Sequence, residues 1–559
     1  MQHQLDSAVA LPLRPPSLVM DPTRLGAMHQ TRISFVRSIL RKMTAERWRL
    51  SRPRWDLDEQ GLGTAIYRLD TPHHFYHLVV FATALKDEER NDRVIAEKWD
   101  VTFALVFGEV DDATLTQLQA NVPLQEAGRN NPRVMVLSRA NKSVRVFEHL
   151  VNSLAQGRQP ARDELAQVGY ILRTTAVYGN GKFGIADFEL LQDNPDFHRS
   201  FSAQMCAVYL LRQFSLDWIH YLAKQRGGAR AATLSRPLQR YLGIGNATGL
   251  GMAPYLLNHP QLVDQWLTQR ESALARVRAQ TATDKTAALV CRLLDRAHRH
   301  LTQVVTIDEH QAGLNQQAIA ELPRLSALVG QASGRLWDQV LEEAQVRFGL
   351  ESQEILTTCI MEPYPELVDE FEEQMNVTEE LTLAPGLTVA DFRAELARAY
   401  DWALAIDFRQ PENQYWFWYR SAEKEEPRMG VRGQEPGDDK EVRLDIARQV
   451  SRLDAALARD VQQATMAAFL LQHPQFRAIT RRAWTMSQCR MGEIRMNVLG
   501  RECLPMQLLR CKLSMFGATK FDPRSSRWVR VTLFQGAPLM DEVHDREWLF
   551  PLLPNEDDE

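Results

Sequence analysis

The run FSAQMCAVYLLRQFSLDWIHYLAKQR, residues 201–226, carries an apolar stripe through Phe201, Met205, Val208, Leu211, Leu216 and Ile219. At 3.6 residues per turn this is a single helix of about seven turns. Gly227 and Gly228 end it, because glycine takes the backbone angles that close a helix. A helix this long and this apolar is a core element, and other layers must cover it.

On its N-terminal side the pattern is that of strands. GLGTAIYRLDTPHHFYHLVVFATAL reads as a β-hairpin turning at Asp70-Thr71-Pro72. KWDVTFALVFGEV and RVMVLSR add two more strands around a polar helix near 111–120. Residues 26–50 read as helix, as do FEHLVNSLAQG and the stretch from Ala161 to Leu172. Residues 260–350 hold several amphipathic helices. Thr283, with Asp284 after it, and Thr388, with Asp391 three residues on, are N-cap candidates. After Asp407 come an aromatic strand, a polar glycine-rich loop and a helix over about 440–472. CRMGEIRMNVLG and SRWVRVTLFQG return to strands, the second with a solvated face through Arg530 and Thr532. No repeat of fixed period occurs.

The expected fold is α+β, predominantly helical, with antiparallel strands near both ends of the chain and a helical middle. Four regions follow: an extended tail over 1–25, stiffened by Pro12, Pro15 and Pro16; an α+β region over 26–142; a mainly helical region over 143–412; and 413–559, packed against the N-terminal region. Both sets of strands are expected to share one sheet.

Charge and composition narrow the function classes. The 559 residues carry a formal net charge of −5, which gives no basic excess to hold a polynucleotide. The basic segment over 34–54 is too short to change that. No run of about 18 uncharged apolar residues spans a bilayer, and the N-terminus lacks the basic start and apolar core of a signal peptide. Six scattered cysteines with no CxxC pair read as reduced thiols. A cytoplasmic chain is expected, with a small-molecule substrate and further copies of itself as partners, and with no membrane or nucleic-acid partner.

Three segments carry candidate chemistry. In RTTAVYGNGKFG, Gly179, Gly181 and Gly184 let main-chain N–H groups approach an anion. Arg173 offers a planar fork for a carboxylate or phosphate; Thr174 and Thr175 donate without adding charge. Tyr178 beside Lys182 can transfer protons. Phe183 follows Lys182, so this is not a P-loop. In LGIGNATGLGMAPYLLNHP, the glycines at 243, 245, 249 and 251 read as a tight loop with Asn246 and Thr248 facing a cavity. Thr248 stands where a dinucleotide fingerprint needs its third glycine. In NQYWFWYRSAEKEEPRMGVRG, an aromatic strand ends at Arg420. There Arg420 and Arg428 can grip an anion, and Lys424 and Glu425 can act as an acid–base pair on a glycine-hinged lid.

Other patterns are weaker. His73 and His77 share one strand face and need a third ligand from elsewhere to hold a metal. With no HExxH and no carboxylate cluster, no metal site is expected, and no cofactor is legible. Asp217 lies three residues before His220, a spacing that lets a carboxylate orient an imidazole. Lys520 sits in a turn between two strands. No GxSxG nucleophile elbow occurs. The reading is an enzyme that acts on a small carboxylate- or phosphate-bearing substrate by general acid–base chemistry, as a lyase, isomerase or transferase. Its competitor is a non-catalytic oligomeric binding or assembly protein.

Overall fold

The computed structural model describes residues 10–26, 30–85, 99–121, 133–177, 194–249, 256–257, 259–374, 382–410, 413, 416–421, 427–431, 441–443, 446–494, 508–525, 528–545, 548 and 550–555. Seven strands of the first half are β1 (Arg49–Leu57), β2 (Gly63–Asp70), β3 (Phe75–Ala82), β4 (Val101–Phe107), β5 (Val134–Lys142), β6 (Tyr170–Thr174) and β7 (Gly243–Gly249). A short aromatic group follows: β8 (Trp416–Ser421), β9 (Pro427–Val431) and β10 (Glu441–Arg443). Last come β11 (Lys520–Ser525) and β12 (Trp528–Leu533).

Nine strands make one sheet in the order β1-β2-β3-β4-β5-β6-β7-β12-β11, and the aromatic group makes a second sheet ordered β10-β8-β9. The C-terminal strands therefore enter the sheet that the N-terminal strands begin. Neighbours run antiparallel throughout the large sheet except at β6 and β7, which are parallel. The fold is α+β, as the two strand-rich ends and helical middle imply.

Period-two alternation sorts the sheet faces. Leu78, Val80, Phe103 and Leu105 join the main core with the Ser202–Gly227 helix. Val79, Phe81, Ala104 and Val106 face the other way, onto Leu118 of the Asp112–Asn121 helix. The long helix packs beside the Phe35–Ala45 and Phe147–Ala155 helices. A second core gathers Val389, Phe392, Val450, Phe469 and Ile479, drawing residues from both sides of position 412.

Several local expectations change. The helix read over 26–50 is confined to Phe35–Ala45; the chain turns at Arg47, with φ of 52°, and the basic stretch after it is β1. The helix read from Ala161 to Leu172 stops at Val168, because Gly169 takes a left-handed C-cap at φ of 75°, and Tyr170 starts β6. The stretch 440–472 is two helices, Ile446–Leu457 and Met466–Gln472, the second capped by Thr465. The face of β12 opposite its valines is not fully solvated: β12 lies between β7 and β11, and Thr532 is 1% exposed. Residues 495–500 of CRMGEIRMNVLG lie outside the described residues.

The glycines at 243 and 245 serve a strand, not a loop. A Cβ on Gly243 would lie 2.4 Å from the Leu533 carbonyl oxygen, and one on Gly245 would lie 2.9 Å from the Tyr170 ring. Glycine here permits close strand approach.

Of the N-terminal segment, the described part has no regular structure over 10–15 and short helices at Pro16–Val19 and Pro22–Leu25, and it buries Arg14 and Arg24 against the body. Arg14 forks onto Glu271, at 2.8 and 2.9 Å, and reaches Glu354 at 2.8 Å. Arg24 meets the same Glu354 oxygen at 2.9 Å, and Arg270 meets the other. Burial alone would raise the Glu354 carboxyl; Arg14 and Arg270 outweigh it and hold the group well below the usual carboxylate range. Glu351, on the same Leu350–Cys359 helix, takes Arg510 at 2.5 Å. Thr283 and Thr388 cap their helices as read.

Gly243→Ala is expected to destabilise the chain by about 1–3 kcal/mol, the usual cost of overpacking against atoms that cannot move aside. A urea-unfolding midpoint equal to that of the wild type would show that β7 and β12 can separate.

Candidate functional site

The parallel pairing of β6 and β7 brings two of the sequence-derived segments together. Thr174 lies opposite Asn246, and Arg173 opposite Gly245. Asn246 is fully buried; its amide donates to the Thr174 carbonyl at 3.2 Å. The Thr174 hydroxyl donates to the Arg139 carbonyl at 2.8 Å, and the Thr175 hydroxyl lies 3.5 Å from that of Ser138. Arg173 is buried. Tyr178, Gly179, Gly181 and Lys182 lie outside the described residues, as do Lys424 and Glu425. The side chains of Thr248, Arg420 and Arg428 also lie outside them; their backbones belong to β7, β8 and β9.

A residue that the sequence reading passed over stands beside this pair. Lys512 is 1% exposed, and its Nζ donates to Asn246 Oδ1 at 2.8 Å. It begins the π-helical turn Lys512–Phe516, closed by Gly517 at φ of 87°. Burial pulls its amine down to about 7, against a small opposing pull from Cys511. The apolar neighbours in CKLSMF were the available signal that this lysine is inside.

The weaker candidates resolve differently. Asp217 does not orient His220. Its carboxylate accepts from Tyr67 Oη at 2.6 Å, Gln213 Nε2 at 3.0 Å and Arg52 Nη1 at 3.1 Å. His220 Nε2 instead accepts from the Leu234 N–H at 3.2 Å, which leaves the ring proton on Nδ1. Burial lowers its pKa and favours this neutral form. Tyr221 donates to the Leu57 carbonyl. Lys520 caps the Arg162–Val168 helix through the Gln167 carbonyl at 2.6 Å. The described cysteines are free thiols; burial pushes Cys511 up to about 12, which makes it a poor nucleophile.

Asp217 and His220 nonetheless share a cavity. About 860 Å³ opens between β1, β2 and the long helix, with Trp48, Arg49, Arg52, Tyr67, Asp217 and His220 in its wall. Arg52 stacks on Trp55 at 4.5 Å, so its guanidinium is held flat. Burial and Asp217 keep the Tyr67 phenol far above its ordinary pKa, a fixed donor that holds one carboxylate oxygen. The cavity thus combines cations, a carboxylate and a neutral imidazole on rigid elements, the inventory of an acid–base site.

A separate polar grouping lies behind Trp48. One donor atom each from Glu46, His73 and Asp196 falls within 4.8 Å of the others. His73 reaches it from the turn before β3, and His77, its expected companion, is instead buried with Nδ1 2.8 Å from the Gly108 carbonyl. No protein-family model matches the chain, and no curated protein or solved structure matches it.

Lys512 yields a pH signature. Its folded value of about 7 lies below the ordinary 10.5, so between those pH values the unfolded chain binds a proton that the folded chain does not. Stability from this group therefore rises with pH across that window, by about 1.4 kcal/mol per unit. Urea unfolding of wild type and Lys512→Met at pH 7 and 9 is expected to show their difference moving in favour of wild type as pH rises. A pH-independent difference would mean that the amine stays protonated.

Proposed function

We propose that the chain is an enzyme that binds a small carboxylate- or phosphate-bearing substrate in the Arg49–Arg52–Asp217–His220 cavity. It moves protons there by general acid–base chemistry. The observation that supports this reading is the convergence of these four side chains on one concave surface. Arg52 spends one donor on Asp217 and has others for an anion. Arg49, at the exposed rim, adds a second cation. The Asp217 carboxylate is the proton acceptor, oriented by Tyr67 and Gln213. His220 offers Nδ1–H as a neutral donor to charge that develops on the substrate. Proton abstraction beside a carbonyl, followed by elimination or isomerisation, uses these groups; so does group transfer.

The sequence argument adds further proposed contacts. Arg173, Thr174, Thr175, Gly179, Gly181, Asn246 and Thr248 form a second anion-binding element, with Tyr178 and Lys182 in proton transfer. Arg420 and Arg428, with Lys424 and Glu425, form the third.

Thermal-shift measurements with small carboxylates, phosphates, nucleotides and acyl thioesters test the cavity. A ligand at one hundred times its Kd stabilises the folded chain by about 2.7 kcal/mol. That shift is expected in wild type and lost in Arg52→Ala, while Asp217→Asn keeps binding and loses turnover. A shift of equal size in Arg52→Ala, or none from any of these ligands, would contradict the reading.

A further inference from the structure

We propose that Glu46, His73 and Asp196 form a binding site for one divalent transition-metal ion, on other residues than those of the substrate cavity. The three come from distant parts of the chain: the residue that follows the Phe35–Ala45 helix, the turn before β3, and the segment before the long helix. Each carboxylate has one oxygen held by hydrogen-bond donors. Asp196 Oδ2 accepts from Thr71 Oγ1 at 2.9 Å and Tyr76 Oη at 2.7 Å. Asp196 Oδ1, on a residue only 1% exposed, has no hydrogen-bond partner. Glu46 Oε2 accepts from Trp48 Nε1 at 2.7 Å, and Oε1 is ion-paired with Lys42. Such outer donors are how proteins orient metal-binding carboxylates.

A buried carboxylate oxygen without a partner costs free energy, so its position calls for a cation or an ordered water. A triangle with sides no longer than 4.8 Å has its centre within about 2.8 Å of each corner. The roughly 2.0–2.2 Å of zinc–nitrogen and zinc–oxygen bonds needs the three atoms to close by about a quarter from that limit. Lys42 Nζ lies 3.7 Å from Glu46 Oε1, beyond hydrogen-bond reach, so it offsets charge without filling the gap. One nitrogen and two oxygens suit zinc or manganese, not the all-oxygen shell of calcium. His73 is exposed, which leaves the ion's outer side open to solvent or a small ligand.

The test uses tag-free full-length chain, stripped with a chelator and dialysed against zinc or manganese, with bound metal measured by plasma mass spectrometry and Kd by calorimetry. One ion per wild-type chain is expected. His73→Ala changes only an exposed turn residue, and Glu46→Gln keeps the side-chain shape; each is expected to bind at least tenfold more weakly. Wild type that binds no ion, or His73→Ala that binds as tightly as wild type, would overturn the proposal.

Discussion

A single buried carboxylate holds three distant parts of this chain in register. Glu354 is fully buried and receives Arg14 and Arg24 from the N-terminal segment and Arg270 from the helical middle. One turn earlier on the same helix, Glu351 receives Arg510, two residues before Lys512. Buried ions are tolerated only when paired and hydrogen-bonded, and removing one partner typically costs about 3–5 kcal/mol. The N-terminal segment and the π-helical turn are thus tied to one helix by charge as well as by packing.

The same logic runs toward the candidate sites. The π-helical turn carries Lys512 to the middle of β7, beside the end of β6, where Asn246 meets it. The long helix, fixed between the sheet and its neighbouring helices, carries Asp217 and His220 to the cavity wall. Trp48 lines that cavity and donates to Glu46, so the substrate cavity and the proposed metal site share one rigid side chain. Rigid elements set these positions, which suits chemistry that depends on sub-ångström placement.

Much of the fold was legible because periodicity reports local burial. The long helix, the hairpin of β2 and β3, and β4, β5 and β12 all follow from apolar spacing. β1 escaped because Arg49, Arg52 and Arg54 crowd one edge strand, whose composition resembles a solvated helix. β7 escaped because its glycines answer to Leu533 and Tyr170, partners far away in sequence. The parallel pairing that joins Thr174 to Asn246 depends on that same hidden strand. The cavity was partly legible: Asp217 and His220 stood out by spacing, but Arg52 had no signal. Glu46 and Asp196 had none either, since a ligand set drawn from three separate elements leaves no motif.

Hydrogen–deuterium exchange on Glu354→Gln, compared with wild type, tests the central role of the buried carboxylate most directly. Residues 10–26 and 508–516 are expected to lose protection together, while the second core around Val389, Val450 and Ile479 stays as in wild type. Unchanged protection in the N-terminal segment and the π-helical turn would contradict the account, and so would a uniform loss across the chain.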